Sequence, residues 1–468
     1  MKYISTRGQE SDDRLSFEDV TLAGLARDGG LYVPEYWPIL EADDIANLAG
    51  LSYAEVAVKV LYPFVEGSLS ESELRTVAEE TYGPQFAHAA VAPVKQLSHN
   101  EYLLELFHGP TLAFKDFALQ MLGRLFDIFT ARQNREICIL GATSGDTGSA
   151  AIEATRGRDT VSIFMLHPEG RVSEVQRRQM TTVIEPNVIN LAVKGTFDDC
   201  QALVKESFND LTFRDNINLT AVNSINWARV MAQVVYYFTT AVSLGAPHRK
   251  VSFVVPTGNF GDIFAGFVAH KMGLPIEKLI IATNSNDILA KTLQTGRYAK
   301  GQVKPTLSPS MDIQVSSNFE RLLFELTGRK GKDVAERLTQ FSDLGYFDLE
   351  DSELEAFREL FDARQITDEE TSDLMKEMLC ETGELIDPHT AVGVGASRVC
   401  LQDSNAPIVI LATAHPAKFG DAVENATGTD PELPAKMADL MDRDEGYGVI
   451  ENNGPALREM MQKFRESK

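Results

Sequence analysis

From about residue 130 the chain alternates short, almost wholly apolar runs with stretches in which apolar residues recur every three or four positions. EICILGA, TVSIFMLHP, VINLAVKG, KVSFVVPTG and KLIIATN read as strands buried on both faces. TGSAAIEATRG, RVSEVQRRQMTTV, TFDDCQALVKESFND, NWARVMAQVVYYFTTAVSLG and GDIFAGFVAHKMG follow them with helical spacing. Strand-then-helix units in series predict a mostly parallel sheet with helices on both faces.

The flanking regions read differently. Residues 1–95 are a mixed α/β segment with two helical stretches, SYAEVAVKVLYPFV and ESELRTVAEETYG, and are expected to form an N-terminal domain. Residues 96–468 form the α/β core, with a smaller lobe over about 130–245. Between about 290 and 385 the rhythm breaks into a polar, acidic stretch, expected to be a helical insertion. APIVILATAHPAKFG returns to strand-then-loop before a helical tail.

Charge narrows the function classes. With 44 basic and 68 acidic residues in 468, the net charge is −24, which argues against nucleic acid or an anionic membrane as partner. About −10 of it lies in residues 349–384, where thirteen acids meet three bases, the composition of a solvated helical face. Cys138, Cys200, Cys380 and Cys400 lie far apart, which suits a reducing compartment. The N-terminus lacks the apolar core of a signal peptide, and no run approaches a spanning helix, so the cytoplasm is expected.

Two glycine-rich loops, GATSGDTG at 141–148 and GNFGD at 258–262, each follow a buried strand and open a helix. Backbone N–H groups converge in such turns and suit a phosphate or carboxylate. Neither loop is a GxGxxG or a P-loop sequence. Lys115 lies between Phe114 and Phe117 at the start of an apolar helix-like run, where Leu119, Leu122, Phe126 and Phe129 share a face. A cation is disfavoured at a helix N-terminus and in an apolar site, which favours a partly neutral amine fit for Schiff-base chemistry. A snorkelling lysine is the plain alternative. A lysine with two anion-binding loops is what pyridoxal 5′-phosphate requires. Thr413, just beyond a buried strand, is a candidate partner for the pyridine nitrogen or an ordinary strand-end threonine.

HGPTLAFKDFA, GATSGDTGSAA, NSINWARV, PTGNFGDIFAG and LATAHPAKF, in this order, resemble the motifs of the threonine synthase family. The opening YISTRG…SFEDVTLAGLARDGGLYVP is similar to that family's N-terminal segment. The resemblance implies the fold type II pyridoxal-phosphate architecture: two mostly parallel-sheet lobes, a smaller N-terminal α/β domain and a helical insertion. It implies that Lys115 binds the cofactor and shuttles protons. Gly258, Asn259, Phe260, Gly261 and Asp262 match the cofactor-phosphate loop, and Thr413 the residue facing the ring nitrogen. Ser144, Gly145, Asp146, Thr147 and Gly148 match the loop that receives the substrate carboxylate. Asn223, Ser224, Asn226 and Arg229 either contact the substrate phosphate or serve as a helix cap and a solvated arginine.

The implied reaction converts O-phospho-L-homoserine and water to L-threonine and phosphate, in a monomer or homodimer. An eliminating relative that makes 2-oxobutyrate, a hydroxy-amino-acid dehydratase and a non-catalytic binding protein are the alternatives. A serine hydrolase is excluded because GATSG is not the GxSxG elbow. No metal site is expected, since the eight histidines form no HExxH or close cluster.

Overall fold

The strand Val251–Pro256 is buried at all six positions and lies inside a sheet covered on both faces. A computed structural model describes residues 1–9, 14–402 and 404–467. The chain forms two compact units. The larger comprises residues 1–20, 25–114 and 224–432, the smaller 21–24, 115–223 and 433–468.

The larger unit holds a six-stranded sheet in the order Phe361–Gln365, Ile276–Thr283, Val251–Pro256, Ile408–Ala412, Glu101–Glu105, Val94–Gln96. All pairings are parallel except the last. Alternation of side chains along each strand sorts the two faces. Phe253 and Leu279 meet the helices Trp227–Ser243 and Gly261–Lys271, where the Tyr237 ring lies 4.8 Å from Phe253. Val254, Ile280 and Ile410 face the opposite way, onto the helix Pro388–Cys400. Each such fully buried aliphatic or aromatic side chain contributes about 1.5–3 kcal/mol.

The N-terminal segment adds a two-stranded antiparallel sheet, Tyr3–Ser5 with Tyr32–Pro34, and the helix Tyr53–Val65 packed on Trp227–Ser243. Tyr3 OH donates to Phe64 O and accepts from Trp227 Nε1, which satisfies two buried polar groups inside that apolar junction. The acidic stretch expected to be helical is mostly so, yet Phe361–Gln365 within it forms the edge strand of the large sheet. Its charged Asp362 and Arg364 lie on an exposed edge, so no apolar run marks it.

The smaller unit holds a five-stranded, all-parallel sheet in the order Gly448–Glu451, Val188–Lys194, Val161–Pro168, Ile137–Ala142, Leu219–Thr220. The helices Lys115–Arg132 and Asp146–Thr155 pack together closely, because a Cβ at Gly123 would overlap the Ala154 carbonyl. On the other face Cys200 and Leu203 of the helix Phe197–Asn209 join Leu457 and Met461 of Gly454–Glu466 over Leu140, Phe164 and Leu166. The tail expected to be helical thus also supplies the strand Gly448–Glu451, whose residues are largely exposed and give no periodic signal. No helix among the described residues is long and apolar enough to cross a membrane.

Candidate active site

In the smaller unit Lys115 is the first residue of its helix, with Leu119, Leu122, Phe126 and Phe129 all buried behind it. Its side chain is 12% exposed, and Nζ lies 3.3 Å from Asp146 Oδ2. Asp146 opens the helix Asp146–Thr155 directly after Gly145, whose φ of 146° is open to glycine and strained for other residues. Thr143 Oγ1 accepts from the Gly145 and Gly148 N–H groups, 2.9 Å each, and so shapes the turn from inside. The N–H groups of Ser144 and Thr147 meet no acceptor among the described residues, leaving donors at a helix N-terminus for an anion.

The Asp146 side chain is engaged within the smaller unit. Its carboxylate turns to Lys115 with one oxygen, and with the other accepts from Gln176 Nε2 at 2.8 Å. Gln176, 5% exposed on the helix Glu174–Thr181, was not among the expected site residues. A glutamine thirty positions from its partner has no local signature, and the packing of its amide against Gly145 appears only in three dimensions.

In the larger unit the loop 257–262 and Thr413 leave neighbouring parallel strands at the same carboxyl edge, where open α/β sheets bind ligands. Phe260 adopts a left-handed conformation, φ 63°, with its ring buried 5.6 Å from that of Phe319 and 5.8 Å from that of Phe361. The N–H groups of Gly258, Asn259, Phe260 and Gly261 donate to no acceptor among the described residues. Four consecutive free donors thus stand at the start of the helix Gly261–Lys271, an arrangement that suits an anion. Asp262 contributes differently: its Oδ1 accepts from Tyr236 OH and Tyr237 OH, which anchors the loop to the neighbouring helix.

Thr413 is 5% exposed, its hydroxyl bonds to nothing among the described residues, and its carbonyl accepts from Phe114 N–H at 2.9 Å. That bond fixes the residue immediately before Lys115. Lys418, 1% exposed, donates to Thr111 O at 2.7 Å, and His108 Nε2 lies 2.7 Å from Glu105 Oε2. Both hold the segment leading to Lys115 in place.

Asn226 caps the helix Trp227–Ser243 by accepting from Ala228 N–H at 3.0 Å. Arg229 is 6% exposed, which corrects the solvated alternative; burial pushes its pKa down to about 10. Ser224 O accepts from Asn318 Nδ2, and Asn223 is exposed in the smaller unit.

Residues 2–82 match the family described as threonine synthase N terminus, 87–340 pyridoxal-phosphate dependent enzyme, and 390–461 threonine synthase, C-terminal. Threonine synthase from Pseudomonas aeruginosa is 57% identical, over 97% of this chain and 96% of its own length. That from Schizosaccharomyces pombe is 42% identical, over 95% and 94%. The chain belongs to the threonine synthase family.

A crystal structure of threonine synthase from Brucella melitensis with pyridoxal phosphate bound superposes with a TM-score of 0.97 at 53% identity, covering 99% of both chains. The architecture is that of the fold type II pyridoxal-phosphate enzymes, and the cofactor is pyridoxal 5′-phosphate. Each unit carries groups that fit it: in the smaller a mostly buried primary amine at Lys115, and in the larger four free N–H groups at 258–261 and an uncommitted hydroxyl at Thr413.

Proposed function

We propose that this chain is a threonine synthase that converts O-phospho-L-homoserine and water to L-threonine and phosphate, working in the cytoplasm. Similarity to threonine synthases along nearly the whole chain carries the reading. The bound cofactor supplies an electron sink conjugated to the substrate Cα. Lys115 carries the cofactor and, once its amine is released, takes the Cα proton and then a Cβ proton. Phosphate leaves from Cγ and water adds at Cβ, so the protons that Lys115 has taken return to the product. Asp146, 3.3 Å from the amine, gives Nζ a fixed acidic partner between these transfers.

Gly258, Asn259, Phe260 and Gly261 hold the cofactor phosphate through backbone donors, with Asp262 anchoring the loop. Thr413 faces the ring nitrogen. In the loop 144–148 the free N–H groups of Ser144 and Thr147 receive the substrate carboxylate, because the Asp146 side chain is already engaged with Lys115 and Gln176. Asn223, Ser224 and Arg229 serve the substrate phosphate, with Arg229 as the cation of that set and Asn226 supporting it as the cap of the helix that carries Arg229.

One assay tests this. Purified protein with pyridoxal phosphate is given O-phospho-L-homoserine, and threonine, 2-oxobutyrate and phosphate are quantified together beside Lys115→Ala. Threonine equal to phosphate, abolished in the variant, is expected. Phosphate matched by 2-oxobutyrate would move the chain to an eliminating relative.

A further inference from the structure

The segment 310–318 falls within the stretch that reads as an insertion, and no role is attached to it. It lies flush against the phosphate loop. A Cβ at Gly258 would meet Ser310 O at 3.1 Å and Met311 Cα at 3.2 Å, so a side chain there would push the two backbones apart by a few tenths of an ångström. Ser316 Oγ donates to Gly258 O at 2.7 Å. Asn318 donates twice to Asn259 O, from its backbone N–H and from Nδ2, at 3.0 Å each.

Both side chains are locked. Ser316 is 3% exposed, and its N–H donates to Tyr298 OH at 2.8 Å. Asn318 is fully buried; its Oδ1 accepts from Arg321 Nη1, and its Nδ2 also reaches Ser224 O at 3.2 Å. Arg321, itself fully buried, spans Tyr32 O at 3.0 Å and Ile225 O at 2.6 Å, which ties this strap to two other segments of the larger unit.

Peptide geometry turns these contacts into a function. In a trans peptide the C=O and the following N–H point in opposite directions. Holding Gly258 O on Ser316 aims the Asn259 N–H away from the strap, and holding Asn259 O on Asn318 does the same for the Phe260 N–H. Those two groups belong to the four donors that meet no acceptor among the described residues. We propose that Ser316 and Asn318 are positioning residues for the cofactor phosphate, fixing the two peptide planes whose N–H groups bind it. This rests on the assignment of the 258–262 loop to that phosphate.

The test compares pyridoxal phosphate with pyridoxal, which lacks the phosphate and so reports the ring and lysine contacts alone. Full-length protein stripped of cofactor is titrated with each compound, by absorbance, for wild type, Ser316→Ala, Asn318→Ala and Gly258→Ala. Circular dichroism and Tm confirm folding. Ser316→Ala and Asn318→Ala are expected to weaken pyridoxal phosphate about tenfold relative to pyridoxal and to shift the ³¹P resonance of the bound phosphate. Asn318→Ala also strips a partner from buried Arg321; if it does not fold, Ser316→Ala alone decides. An unchanged preference in folded Ser316→Ala, with Gly258→Ala impaired, overturns the inference and leaves the loop assignment standing. An unchanged preference in Gly258→Ala as well, or no preference in the wild type, overturns the loop assignment itself.

Discussion

Replacing Gln176 by leucine removes one amide from the buried groups around Lys115 at nearly constant volume. Gln176 and Asp146 are each 5% exposed, and the bond between them is 2.8 Å long. A buried hydrogen bond to a carboxylate contributes about 1.5–3 kcal/mol, and here the loss takes the Gln176 donor away from one Asp146 oxygen. The other Asp146 oxygen is 3.3 Å from Lys115 Nζ, so any turn of the carboxylate toward a new donor moves the partner of the amine. Gln176→Leu is expected to lower unfolding free energy by about 1.5–3 kcal/mol in urea. It should also lower kcat/KM for phosphate release by roughly 10- to 100-fold. Gln176→Glu should do worse, since it sets two carboxylates side by side in a buried site. Gly145→Ala disturbs the same pair from the backbone side, because the new Cβ would overlap the Gln176 amide. The double variant should therefore lose less than the sum of the singles. Gln176→Leu with wild-type kcat/KM and an unfolding free energy within about 0.5 kcal/mol of wild type would refute the reasoning.

Two further outcomes are expected. Burial, reinforced by His108, pushes the His415 pKa down from 6.5 to about 4, while its Nδ1 accepts from Ala417 N–H. The unfolded chain takes up that proton near 6.5 and the folded one only near 4, so stability is lost as pH falls through this window. The loss is about 2 kcal/mol at pH 5 and about 3 in full. His415→Gln should be less acid-sensitive by that amount in urea unfolding at pH 7 and 5, and parallel pH dependences would count against it. Among the thiols, burial pushes Cys200 up to about 11 and Cys400 to about 12, and Cys138 is buried, whereas Cys380 is exposed. One fast-reacting thiol is expected with Ellman's reagent at pH 8, lost in Cys380→Ser; a second fast thiol would contradict the shielding of the buried Cys138 and Cys200 and the half-buried Cys400.

Much of the framework that carries the candidate site is legible in local patterns. The buried strands Ile137–Ala142 and Val251–Pro256 are apolar throughout, the glycine loops follow them directly, and Lys115 stands where a helix begins. The strands Phe361–Gln365 and Gly448–Glu451 are not legible, because each lies at a sheet edge with exposed polar positions and gains its partner from a distant segment. Arg229 shows a similar limit. Its motif is compatible with a solvated guanidinium, and only the packing of Trp227–Ser243 buries it.

The sequence by itself determined the alternation of strands and helices, the positions of the two glycine-rich turns and the place of Lys115 at the start of a helix. These follow from side-chain periodicity and from backbone rules that act within a few residues. Only the tertiary structure decided that Asp146 turns to Lys115, that Gln176 holds Asp146, and that Ser316 and Asn318 hold the carbonyls of the loop 258–262. Each of these is a directional hydrogen bond between segments roughly 30 to 60 residues apart. Such a bond exists only once burial has excluded water as the competing partner, and no local pattern encodes it.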